Sequence, residues 1–147
     1  MSSVLDVLTF GESMVLYAPS EHGTLESAPA YHASIGGAES NCAIGLARLG
    51  YSVGWVSRLG CDPFGARVLK TIRGEGVDVS RVQMCDSAPT GLMFKEPGPG
   101  NTTRVFYYRR QSAADNEMRR MWAKAALPFP TQGSAARSSR LRRPSAA

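Results

Sequence analysis

The stretch Gly36-Gly37-Ala38-Glu39-Ser40-Asn41-Cys42-Ala43, running on to Leu49-Gly50 and then Leu59-Gly60, decides how the chain is read. Two adjacent glycines let a backbone approach a neighbour or a ligand closely, and an Asn early in the following helix offers a donor and an acceptor together. The pairing suits capture of a polyhydroxylated small molecule. Taken alone, the same residues also fit a strand-to-helix turn with a capping Asn. Beyond them Ala43, Ile44, Leu46, Ala47 and Leu49 recur at helical spacing, which predicts a helix over 38–49 with Gly50 as its C′ cap.

Working outward, residues 4–10 form an apolar run ended by Gly11, as expected of a buried strand. Residues 14–18 and 31–35, separated by a polar loop with Pro19, Gly23 and Pro29, read as short strands outside the main core. The next strand is expected over 53–57. Asp62-Pro63 then supplies an N-cap and a proline at the first helical position; Phe64, Val68, Leu69 and Ile72 share one face, and Gly74 and Gly76 end the helix. Strand, helix, strand, helix in this order predicts an α/β fold with a parallel sheet. Residues 91–95 and 104–109, flanking Pro97-Gly98-Pro99-Gly100-Asn101, predict a hairpin.

The 147 residues, 43% of them apolar, suffice for one domain with a sizeable core. The net charge of +5 comes from the tail: residues 1–113 hold ten basic and ten acidic side chains, whereas 114–147 hold seven basic ones against Asp115 and Glu117. Basicity so placed argues against a specific nucleic-acid partner. Cys42, Cys61 and Cys85 are odd in number, lack C-x-x-C spacing, and read as small buried residues of a reducing compartment. Neither a signal peptide nor a membrane span is visible, so a cytoplasmic location is expected.

In Tyr107-Tyr108-Arg109 strand alternation places Tyr107 and Arg109 on one face. A guanidinium matches a carboxylate bidentately, so Arg109 facing a pocket points to an acidic ligand; the alternative is an exposed Arg in a surface pair. Glu12, after Gly11, could hydrogen-bond a ligand or pair with an Arg and is read as structural, and Asp62 is read as a helix cap without a catalytic role. No G-x-x-x-x-G-K-[ST] or G-x-G-x-x-G loop is present.

Gly36, Gly37, Asn41, Gly50 and Gly60 together resemble the first signature of the PfkB (ribokinase-like) carbohydrate kinases, and Gly60-Cys61-Asp62-Pro63-Phe64-Gly65 with Gly76-Val77-Asp78 is similar to the family's second conserved stretch. Glu39 stands where the signature usually has a small residue. The 2-keto-3-deoxygluconate kinases commonly read Gly-Gly-Ala-Glu there, and Tyr-Tyr-Arg resembles their substrate-contacting run. Met93 departs from them, since many carry Tyr at that place.

The resemblance covers residues 4–113 and implies the N-terminal part of a ribokinase-like parallel-sheet sandwich with a small β lid. It divides the chain into 1–113, with lid strands at about 12–36 and 90–110, and a disordered basic tail over 114–147, rich in Arg, Ala, Pro and Ser, as when coding sequence is read out of frame. A natural basic tail is the alternative. The implied function is ATP-dependent phosphorylation of a sugar or sugar acid resembling 2-keto-3-deoxygluconate, with Gly36, Gly37, Asn41, Tyr107 and Arg109 binding it. In the family the catalytic Asp lies in a later Gly-Ala-Gly-Asp motif that this chain does not contain. No catalytic, cofactor-binding or metal residue is therefore assigned; ATP and Mg²⁺ are expected in the complete family enzyme and not on this chain. A homodimer contact through the lid is also implied. The alternative function is a non-catalytic sugar-binding or dimerising fragment.

Overall fold

A computed structural model describes residues 4–21 and 23–115. The elements are β1 (Val7–Phe10), β2 (Met14–Pro19), β3 (Tyr31–Gly36), α1 (Ala38–Arg48), β4 (Val53–Val56), β5 (Arg58–Gly60), α2 (Pro63–Gly74), β6 (Gln83–Cys85), β7 (Leu92–Pro97) and β8 (Thr103–Tyr108). The expected basic tail lies, from residue 116 onward, outside the described residues.

Strands β1 and β4 pair in parallel, Val7 opposite Val53 and Phe10 opposite Val56, and α1 packs on both. On the other side of β4, Trp55 N donates to Asp78 O and Asp78 N to Val53 O, so the Gly76-Val77-Asp78 segment continues the layer. β5 pairs in parallel with β6. All four residues of β4 are buried, as a strand covered on both faces requires. Val53, Trp55, Leu59, Val68, Ile72, Val77 and Val79 form the core with Val15 and Ala43.

The second sheet is mixed, in the order β3-β2-β7-β8, with β2 and β7 parallel and the outer pairs antiparallel. Alternation divides it into two faces. Tyr17, Phe94 and Tyr108 form one aromatic row, with Phe94 stacked on Tyr17 and edge-on to Tyr108, and Tyr17 meets Phe64 of α2 edge-on. The opposite face carries Met14, Gly36, Met93, Lys95 and Tyr107, which all line one cleft.

The parallel layer, both helices, the Asp62 cap and the β7–β8 hairpin follow the sequence expectation. Several particulars do not. β1 starts at Val7, leaving Val4 exposed. The strand expected over 53–57 breaks at Ser57 into β4 and β5, and the short strand β6 carries no alternation by which sequence could find it. β2 is not outside the core, because Val15 is fully buried among the parallel-sheet residues. Leu49 is 76% exposed: it is the C-cap, where the chain turns toward Gly50 at φ +93° and leaves the apolar stripe. Cys42 and Cys61 are exposed and only Cys85 is buried. Cys42 precedes the buried Ala43 on α1 and so points away from the sheet, and Cys61 sits in the bend after β5.

Candidate functional site

Between the mixed sheet and the first turn of α1 lies a cleft of about 660 Å³, and Gly36, Gly37, Asn41, Tyr107 and Arg109 all line it. With Glu12, Met14, Met93 and Lys95, which also line it, residues from four separate parts of the sequence meet. The N-cap of α1 is Gly37, in extended backbone at φ −177°, and no side chain caps it. Asn41 is a member of the helix and its amide donates to Gly37 O, so the capping-Asn alternative is set aside.

Gly37 is required for a reason other than ligand space, whereas at Gly36 the neighbour is only the end of the flexible Met93 side chain. A Cβ on Gly37 would overlap the Glu12 carbonyl oxygen and crowd Ser40 Oγ at 2.9 Å; one on Gly36 would overlap the Met93 methyl. The close approach is between β3–α1 and the β1–β2 turn, within the protein itself. Ser40 Oγ reinforces that junction, donating to Ser13 Oγ at 3.1 Å with both side chains fully buried.

Arg109 lies one residue past the end of β8, on the same side as Tyr107, as alternation predicts. Its Nε stands 2.8 Å from Glu12 Oε2. The approach is out of line for a hydrogen bond, so that buried oxygen accepts none. Glu12 Oε1 accepts from Ser112 Oγ at 2.6 Å. Glu12 is 9% exposed, and burial pushes its carboxyl above the ordinary value; the Ser112 hydroxyl and the Arg109 charge pull it down, while Asp115 and Glu39 push it up. Arg109 is therefore no mere surface pair: its partner is buried, while its own side chain is half-exposed toward the cleft.

Sequence reasoning missed Ser112, which sits at the edge of the readable pattern and is buried with Ala113 and Ala114, and also Lys95 and Met14 of the cleft wall. Lys95 was open to detection: it lies two residues beyond Met93, hence on the same strand face. The cleft carries both signs of charge, Glu12 and Glu39 against Lys95 and Arg109, beside apolar Met14 and Met93 and the Tyr107 ring. Such a lining can bind hydroxyls, a carboxylate and an apolar ring face.

A family model for the pfkB family carbohydrate kinases matches residues 4–133. The chain belongs to that family. It is 46% identical over 111 residues to a 2-dehydro-3-deoxygluconokinase of Bacillus subtilis, a match covering 75% of this chain and 34% of that protein. The chain thus spans about a third of the length of this curated relative. The crystal structure of a PfkB protein from Polaromonas superposes with a TM-score of 0.73 at 46% identity, covering 77% of this chain and 38% of that one. A sugar kinase from Pyrococcus horikoshii in complex with ATP superposes with a TM-score of 0.67 at 26% identity, covering 73% and 35%. The fold is accordingly the α/β architecture of the ribokinase-like kinases.

Among the described residues no group of three or more His, Cys, Asp or Glu side chains is arranged to hold a metal ion. Nor does the cleft offer a glycine-rich phosphate loop. No helix among the described residues is long and apolar enough to cross a membrane.

Proposed function

We propose that the cleft holds the substrate of a carbohydrate kinase and that this substrate is a sugar acid of the 2-dehydro-3-deoxygluconate type. The observation that carries the reading is Arg109, a half-exposed guanidinium in the wall of a cleft that a helix N-terminus, Asn41, Lys95 and Tyr107 also line. Its fork matches a carboxylate, which a neutral hexose lacks. Asn41 and the backbone at Gly37 would take sugar hydroxyls, and Tyr107 would lie against the carbon skeleton. The N-terminal turn of α1 has no capping side chain and favours a negatively polarised group nearby. The similarity to the Bacillus subtilis 2-dehydro-3-deoxygluconokinase supports the same substrate class.

On this reading residues 1–113 form the substrate-binding part of the kinase and the sheet β3-β2-β7-β8 acts as its lid. ATP with Mg²⁺ would supply the phosphoryl group, and the chemistry of its transfer is not carried by the residues of this cleft. The test is binding of 2-dehydro-3-deoxygluconate and of its primary amide, which keeps shape and hydroxyls but loses the charge. Arg109→Ala should cut affinity for the acid by roughly 2 kcal/mol, the low end for truncating a desolvated charge pair because Arg109 starts half-exposed. Equal losses for acid and amide would overturn the carboxylate role.

A further inference from the structure

Glu12 is the one buried carboxylate in the cleft wall, and the kinase chemistry gives it no task. It sits on the β1–β2 turn, 97 positions from Arg109 in sequence, yet its two oxygens meet Arg109 Nε and Ser112 Oγ at 2.8 and 2.6 Å. The backbone closes the same unit, since Ser112 N donates to Arg109 O at 2.9 Å and Ala113 N to Pro89 O at 2.7 Å. Gly91 leaves the room: a Cβ there would meet Glu12 Oε1 at 2.6 Å and Arg109 Cβ at 3.4 Å.

We infer that Glu12 is a positioning residue for Arg109, its buried charge drawing the Nε side of the guanidinium inward as an ion pair so that the Nη pair is turned to the cleft for an acidic ligand. The inference rests on the sugar-acid reading above and adds to it the group that sets charge selectivity. An arginine side chain in water samples many rotamers, and each must be given up when a carboxylate is clamped. A guanidinium already held at one nitrogen loses less on binding. The contact uses the Nε side, and the end-on edge remains for a second carboxylate. The arrangement fits a holder better than a competitor, because Glu12 is almost wholly buried and Arg109 covers it from the solvent side.

The two roles predict opposite signs. A competing carboxylate weakens acid binding, so removing its charge would strengthen it; a holder, when removed, weakens it. The experiment titrates the labelled 147-residue chain with 2-dehydro-3-deoxygluconate and with its primary amide, followed by amide chemical shifts, for the native chain, Glu12→Gln, Ser112→Ala and Arg109→Ala. The preference for acid over amide should fall about tenfold in Glu12→Gln and two- to threefold in Ser112→Ala. The second variant leaves the ion pair in place and serves if Glu12→Gln fails to fold. The native preference should also decline as pH falls through the raised Glu12 value, where protonation releases Nε; Glu39 from α1, Asp115 after Ser112, Lys95 from β7 and Arg109 are the other charged groups facing it. Glu12→Gln should lack that step.

An unchanged or increased acid preference in Glu12→Gln, or in Ser112→Ala where that variant stands in, would overturn the positioning role while Arg109→Ala still abolishes the preference. If Arg109→Ala leaves the preference intact, the sugar-acid reading itself fails and the positioning role with it.

Discussion

Helix α2 begins on Asp62, whose two oxygens accept from Gly65 N at 2.7 Å and Thr90 N at 2.8 Å, whereas α1 begins on Gly37 with no side chain at its cap. The first arrangement uses up the helix end internally and ties it to the loop that leads into β7. The second leaves the end over a cleft and spends its side-chain contacts, through Ser40, on fixing the turn behind. The same contrast runs through the carboxylates beside them. Burial raises the Asp62 carboxyl, but the Thr90 and Gly65 amides outweigh it and the net displacement is downward; at Glu12 burial prevails and it is upward. One helix end is a structural joint, and the other borders a candidate site whose charges are incompletely matched within the protein. Unmatched buried polarity of that kind marks the candidate site.

The comparison can be broken at the glycine cap. Gly37→Val should destabilise the fold by about 1–3 kcal/mol or more, because its Cβ overlaps backbone and not a flexible side chain. Urea unfolding checks this; a variant that unfolds like the native chain yet no longer binds sugar acid would show that Gly37 serves ligand space instead. At the other helix, Asp62→Ala should cost roughly 0.5–2 kcal/mol for the lost cap. It should leave the acid-over-amide preference as it is, since Asp62 lies outside the cleft. A changed preference would mean that the two helix ends are not separate in function.

The smallest effect is the dependence of stability on pH. Asp62, with its folded value below 3.8, contributes stability above that value that is lost as pH falls through the folded one. Glu12 runs the other way: its folded value lies above 4.5, so its contribution is full below 4.5 and is lost as pH rises through the folded value. Chemical denaturation of Glu12→Gln against the native chain between pH 4 and 7 should therefore show the variant gaining relative stability as pH rises. A constant difference would place Glu12 in an environment with no net effect on its proton affinity.

Much of this contrast was legible in the sequence. Asp62-Pro63 announces a capped helix because capping is local chemistry, complete within four residues. Gly36-Gly37 and Asn41 likewise mark where α1 begins, though not that it lacks a capping side chain, and alternation alone puts Tyr107 and Arg109 on one face. What local patterns could not supply was the reason for Gly37, which depends on the Glu12 carbonyl brought near by the fold. The Glu12–Arg109–Ser112 unit was legible only in part: an Arg partner for Glu12 is a reasonable guess, but its burial and the Ser112 hydroxyl arise from contacts across some hundred residues. The parallel pairing of β2 with β7, which brings the hairpin alongside Met14 and draws Val15 into the core, is non-local in the same way. Short strands such as β6 lack the length for a period to register.

The central claim, that the α1 end binds and the α2 end does not, is tested most directly by mapping amide shifts on the native chain during titration with 2-dehydro-3-deoxygluconate. The account predicts saturable shifts at Gly37, Ala38, Asn41 and Arg109, with Gly65 and Thr90 unmoved. Shifts centred on Gly65 and Thr90, or none at Gly37 and Arg109 at saturating ligand, would contradict it.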